Sequence, residues 1–241
     1  MPDDTLITVI YSLIPLLIGI LIVSILPYIF RWKKLEEVIP GITGLFKKYD
    51  ITQPRIYVKK DDYINAFAVI LAVPPYTVVT SRVIDLFDSK EIFAILLHEI
   101  GHHSNKDSIS STLTISFLMF YLMLIPFYIF LSIILIVLNR YDLLLWTLLV
   151  LFLSRTILAW LLTPLLRKNE KNADLYASKI LGKNKIWLIS ALNRLENATK
   201  NEPKKISILR LLRRAFCLIY FDPFLTHPST PERIKYIRDS P

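Results

Sequence analysis

Three long stretches without charge dominate this 241-residue chain and limit what it can fold into. Thr5–Phe30 and Ser110–Leu138 hold no Asp, Glu, Lys or Arg, and Leu143–Leu166 holds only Arg155. A helix needs about 20 apolar residues to cross a hydrocarbon core about 30 Å thick, and each stretch is that long. Hydrophobic residues make up 54% of the chain, above the share of an ordinary soluble domain. We therefore expect about three transmembrane helices, at 5–30, 110–138 and 143–166. Asn139-Arg-Tyr-Asp142 interrupts the last two, which makes them a helical hairpin. The first stretch is too long for the apolar part of a cleaved signal peptide. No small-x-small site precedes Arg31 either, so it reads as an uncleaved anchor.

The short flanks set the orientation. Asp3 and Asp4 precede the first stretch, while Arg31, Lys33 and Lys34 follow it. Arg167, Lys168 and Lys171 follow the third, and the hairpin tip carries only Arg140 against Asp142. The excess of Lys and Arg places 31–109 and 167–241 in the cytoplasm. The expected protein is a multi-pass component of the cell membrane with both polar parts on one side. Its net charge of +9 sits on segments flanking the spans, where an anionic leaflet accounts for it. No basic-aromatic module for nucleic acid is present. The single Cys217 excludes an intrachain disulfide and suits a reducing compartment.

The polar parts read as mainly α with a small β-sheet. Pro54-Arg-Ile-Tyr-Val, Asn65-Ala-Phe-Ala-Val and Tyr76-Thr-Val-Val-Thr are β-favouring and bounded by turn residues. They predict a small twisted sheet packed on a helix that begins near Ser89, its expected N-cap, with Glu91 in the first turn. Lys168–Leu181 reads as a helix ended by Gly182, and 186–199 as another. Ile206–Tyr220 is basic and apolar, as an interfacial helix would be, or an ordinary helix packed on the core. Arg155 lies close enough to the cytoplasmic boundary to snorkel.

Within the helix after Ser89 stands His98-Glu-Ile-Gly-His102. Residues four apart share a helix face within about 6 Å, so both imidazoles can ligate one Zn²⁺ and leave Glu99 to handle a proton. His103 points about 100° away round the helix. A catalytic zinc needs a third protein ligand. His227 is one candidate. Glu170 is the better one, because the hairpin returns its helix to the membrane face of the His98 helix. Asp174, one turn on, can orient a metal-bound imidazole. Spacing alone leaves Glu170 and Asp174 equally open to being a solvated acidic face beside Lys168, Lys171 and Lys179.

Four motifs in order carry a resemblance: Asn65-Ala-Phe-Ala, His98-Glu-Ile-Gly-His102, Arg167-x-x-Glu170-x-x-Ala173-Asp174, and His227-Pro-Ser-Thr-Pro-Glu-Arg233-Ile. Over about residues 50–240 the chain resembles the membrane-bound gluzincin peptidases, chiefly the HtpX family and more distantly the CAAX-prenyl proteases. The resemblance implies Glu170 as third ligand and Asp174 as its support. It implies Glu99 as general base, His227 and Arg233 as oxyanion donors, and Asn65 and Ala66 as contacts to substrate main chain on an edge strand. Asn105 and Asp107, which follow the zinc helix, read as capping residues.

Two features depart from the family pattern. HtpX proteins usually begin with two spans, and one is evident here. The CAAX-prenyl proteases enclose a chamber with many more spans, which weighs against a prenyl-protein substrate. The expected function is an integral-membrane zinc endopeptidase with one Zn²⁺ per chain, cleaving membrane or misfolded proteins in quality control. The rival is a non-catalytic zinc-binding membrane scaffold, which would have no use for Glu99. The sequence does not fix the oligomeric state.

Overall fold

The computed structural model describes residues 17, 19–70, 72–104, 127–201 and 228–240. Of residues 151, 155, 156, 158, 159, 162 and 201 it describes the backbone alone. His227, Asn105, Asp107, the segment 206–220 and the Arg155 side chain lie outside the described residues. So do half of the first expected span and most of the second. Among the described residues, no helix is long and apolar enough to cross a membrane.

The chain divides into two units. One comprises 1–108, 169–204 and 229–241; the other comprises 109–168 and 205–228. The first begins with helical residues 19–29, then β1 (Lys33–Lys34), α1 (Leu35–Val38), α2 (Ile42–Lys48), β2 (Arg55–Lys59), β3 (Ala66–Val69), β4 (Tyr76–Thr80), α3 (Ser81–Leu86) and α4 (Ser89–Ser104). It continues with the last turns of α5 (Tyr141–Leu181), a 3-10 turn (Gly182–Lys185), α6 (Ile186–Asn201) and α7 (Thr230–Asp239). The protein is thus mainly helical with one small mixed sheet.

The sheet order is β1-β2-β4-β3. β2 and β4 run parallel, whereas β1 and β3 are antiparallel to their neighbours. Every residue of β4 is buried, as expected of a strand covered on both faces. Val79 joins the main core with Ile56, Ile92, Phe93 and Leu96. Val78 and Tyr76 join a second cluster with Tyr57, Ala72 and the flanking Val23 and Trp32. The Tyr76 hydroxyl donates to the Val23 carbonyl (2.6 Å), which ties helical residues 19–29 to that face. The three strands expected from sequence are all present.

β3 is the edge strand on the side away from β1. The Thr80 N–H donates to the Asn65 carbonyl (3.0 Å), so in the register Phe67↔Val78 the odd-numbered residues turn their backbone groups toward β4. Ala66 and Ala68 therefore turn theirs outward.

α4 starts one residue earlier than expected. Asp88, not Ser89, is the cap: its Oδ1 accepts from the Lys90 (2.8 Å) and Glu91 (2.9 Å) N–H groups. Glu91 Oε2 accepts in return from the Asp88 N–H (3.1 Å), closing a capping box. A carboxylate at this position also meets the positive end of the helix dipole, an advantage the serine lacks. Glu91 is buried and further accepts from Ser190 (2.7 Å) and Arg194 (2.8 Å), which fastens α4 to α6.

α5 is one helix of 41 residues, with Pro164 inside it. The separate helix expected at 168–181 is continuous with the third apolar stretch. A proline removes a single N–H from the ladder, and helix-favouring residues on both sides carry the helix past it.

In the second unit, residues 127–137 are helical and the chain turns at Asn139 (φ 56°) into α5. Asn tolerates this left-handed conformation better than most residues. Arg140 grips Asp142 with two hydrogen bonds of 3.1 and 3.0 Å at the tip. The break lies at residues 138–140, and Tyr141 and Asp142 of the expected 139–142 turn already belong to α5.

Candidate active site

The site lies in the first unit, where α4 crosses α5. The crossing is close: a Cβ on Gly101 would stand 2.8 Å from the Ala173 Cα and 3.0 Å from its carbonyl oxygen. Only glycine fits there. The contact brings one face of α4 onto one turn of α5, and three polar side chains converge between them.

His98 Nε2 lies 3.5 Å from Glu170 Oε2, and His102 Nε2 lies 3.6 Å from Glu170 Oε1. The ligand atoms of His98, His102 and Glu170 all lie within 4.8 Å of one another. Tetrahedral zinc with bonds of about 2.0–2.2 Å separates its donor atoms by about 3.3–3.6 Å. The two nitrogen–oxygen distances match that edge length and are long for charge-assisted hydrogen bonds. Two imidazoles and a carboxylate are also the donor set of known catalytic zinc sites. The residues fit the metal.

Behind these three side chains, His98 Nδ1 lies 2.8 Å from Asp174 Oδ1. Asp174 is fully buried and accepts from Arg233 Nη2 on Oδ1 (2.7 Å) and Arg233 Nε on Oδ2 (2.7 Å). The Tyr236 hydroxyl also donates to Oδ2 (2.6 Å). Burial alone would raise the Asp174 pKa, but the His98 ring and the Arg233 fork outweigh it and hold the carboxyl well below its usual range. Burial likewise works against the charged form of His98, and the two carboxylates reverse this, pushing the ring up to about 10.

Glu99 is buried beside this cluster. Burial raises its pKa to about 6, with Glu170 adding to the shift while His98, Arg233 and the Ala68 N–H oppose it. A carboxylate poised near neutrality suits proton transfer. The outward-facing Ala68 N–H bonds to Glu99 and links that carboxylate to the edge strand. His103 turns instead to β4, with Nε2 3.3 Å from Thr77 Oγ1.

The structure thus brings together His98, Glu99, His102, Glu170, Asp174 and Arg233, with Ala66 and Asn65 at the start of the adjoining edge strand. The Arg233 fork, read from sequence as an oxyanion donor, is directed at Asp174. Tyr236 was missed. Its only sequence signal is a position three residues after Arg233, which puts both on one face of α7.

A model of peptidase family M48 matches residues 33–240. A protein from Salinibacter ruber (strain DSM 13855 / M31) named "Protease HtpX homolog" is 26% identical over 207 residues, covering 82% of this chain and 72% of that protein. A second of the same name, from Helicobacter pylori (strain J99 / ATCC 700824), is 28% identical over 203 residues, covering 77% of this chain and 60% of its own. The crystal structure of S. mikatae Ste24p matches with a TM-score of 0.56 at 20% identity, over 98% of this chain and 59% of that one. This last likeness is one of fold. The chain spans less than two thirds of the Helicobacter pylori relative and of Ste24p. With a family match over most of its length, the chain belongs to peptidase family M48 as an HtpX-like metalloprotease.

Proposed function

We propose that the chain is an integral-membrane, zinc-dependent endopeptidase that hydrolyses membrane or misfolded proteins at the cytoplasmic face, in protein quality control. The observation that carries the reading is the convergence of His98, His102 and Glu170 beside Glu99 and the outer edge of β3. When bound there, zinc supplies Lewis acidity toward a peptide carbonyl and toward water. His98, His102 and Glu170 would hold it. Glu99 takes a proton from the attacking water and passes it to the leaving amine. The substrate lies extended along β3, paired with the outward groups of Ala66 and the outward carbonyl of Ala68 beside Asn65. His227 donates to the developing oxyanion, and Arg233, whose Nε and Nη2 are held by Asp174, contributes through its charge, which reaches both Glu99 and Glu170.

The membrane placement is supported by large apolar side chains left exposed: Phe130 (63%), Trp146 (65%) and Trp160 (75%). In water such a surface would be a liability, and lipid covers it at no cost. The basic flanks of the apolar stretches support the cytoplasmic assignment.

The test is Glu99→Gln in purified, zinc-loaded protein. We expect zinc retained and cleavage of casein, or of the chain itself, abolished. Persisting cleavage would overturn the role given to Glu99, and a wild type that cleaves nothing would favour the scaffold. Glu170→Ala tests the third ligand: zinc affinity should fall by at least about tenfold, and unchanged affinity rules the assignment out.

A further inference from the structure

Asp174 accepts from more donors than its charge requires. A buried carboxylate needs a cation, and Arg233 provides one through two hydrogen bonds of 2.7 Å. Tyr236 adds a third at 2.6 Å, on Oδ2, the oxygen opposite the one that meets His98 Nδ1. The extra donor answers a geometric need. The Arg233 fork holds both carboxylate oxygens, and Tyr236 adds a third fixed point, on Oδ2. A third donor narrows further a torsion whose minima are otherwise broad. Oδ1, held in this way, stands 2.8 Å from His98 Nδ1 and limits where the ring can sit, while Nε2 across the ring lies 3.5 Å from Glu170 Oε2.

We propose that Tyr236 is a positioning residue of the metal centre, whose hydroxyl locks the Asp174 carboxylate and through it the orientation of His98. The inference rests on the reading of His98 as a metal ligand. Tyr236 is itself well placed to do this. It stands one turn beyond Arg233 on α7, and Lys171 Nζ lies 5.7 Å from its ring centroid, which holds the ring from the α5 side.

Tyr236→Phe keeps the ring and deletes only the hydroxyl. Zinc affinity is measured by chelator competition, at a temperature where circular dichroism shows both metal-free proteins folded. We expect affinity to fall by about tenfold, the lower end of what loss of a ligand-orienting partner costs. An affinity within about twofold of wild type would overturn the proposal and leave the hydroxyl a simple fastening of α7. Lys171→Ala, which removes the cation over the ring and keeps the hydroxyl, should leave affinity unchanged. An equal loss there would assign the effect to ring packing and overturn the proposal too. Wild-type protein that retains no zinc would instead overturn the metal centre itself, and this inference with it.

Discussion

Asp174 is the residue on which the site depends most. It is a buried charge whose partners come from α4 and α7, so its removal strands Arg233 as well as His98. Breaking one partner of a buried ion pair costs about 3–5 kcal/mol, and we expect Asp174→Asn to lower metal-free stability by that amount in urea titrations. The pH dependence has a definite sign. The folded pKa is depressed, so the stabilisation is complete above the unfolded carboxyl value of about 4 and is lost as pH falls toward the folded value. Melting temperature should therefore drop between pH 7 and pH 3 in wild type, and by less in Asp174→Asn. An equal drop in both would show that other carboxylates govern acid stability. His98, Glu99 and His102 were legible in the sequence because their relation is local, fixed by the helix repeat. Glu170 and Asp174 needed the motif order, since nothing in their spacing separates ligands from a solvated face. Tyr236 carried only its place on the Arg233 face of α7: its partner lies 62 residues away, and only the fold joins them.

At the scale of elements, the α4–α5 crossing decides whether the ligands meet. Gly101→Ala would put a Cβ 2.8 Å from a backbone atom that cannot move independently. We expect a loss of about 1–3 kcal/mol from overpacking, together with weakened zinc binding as Glu170 is pushed away from the histidines. Ala173→Gly should fail to rescue it, because the nearest clash is with the Cα rather than the methyl; full rescue would refute this account. The strands and α4 were readable from β-favouring runs and apolar periodicity. β1 was not, because Lys33 and Lys34 are a strand only by pairing with Val58 and Tyr57. The helix expected over 168–181 continues the third apolar stretch for the opposite reason: composition changes there while the backbone does not.

For the whole molecule, the apolar stretches make a claim that fractionation can check. The chain should stay with membranes through alkaline carbonate washing and leave only with detergent, and release by carbonate would sink the transmembrane reading. The outer edge of β3 carries a separate consequence. Ala66 and the Ala68 carbonyl turn backbone groups outward, which can be matched only by a segment whose own N–H and C=O groups are unspent. A helix or an interior strand has none to give. Admission to the site would then be decided by conformational state, with loss of structure serving as the recognition signal. One short strand would let a single enzyme act on many unrelated chains while sparing each of them once folded.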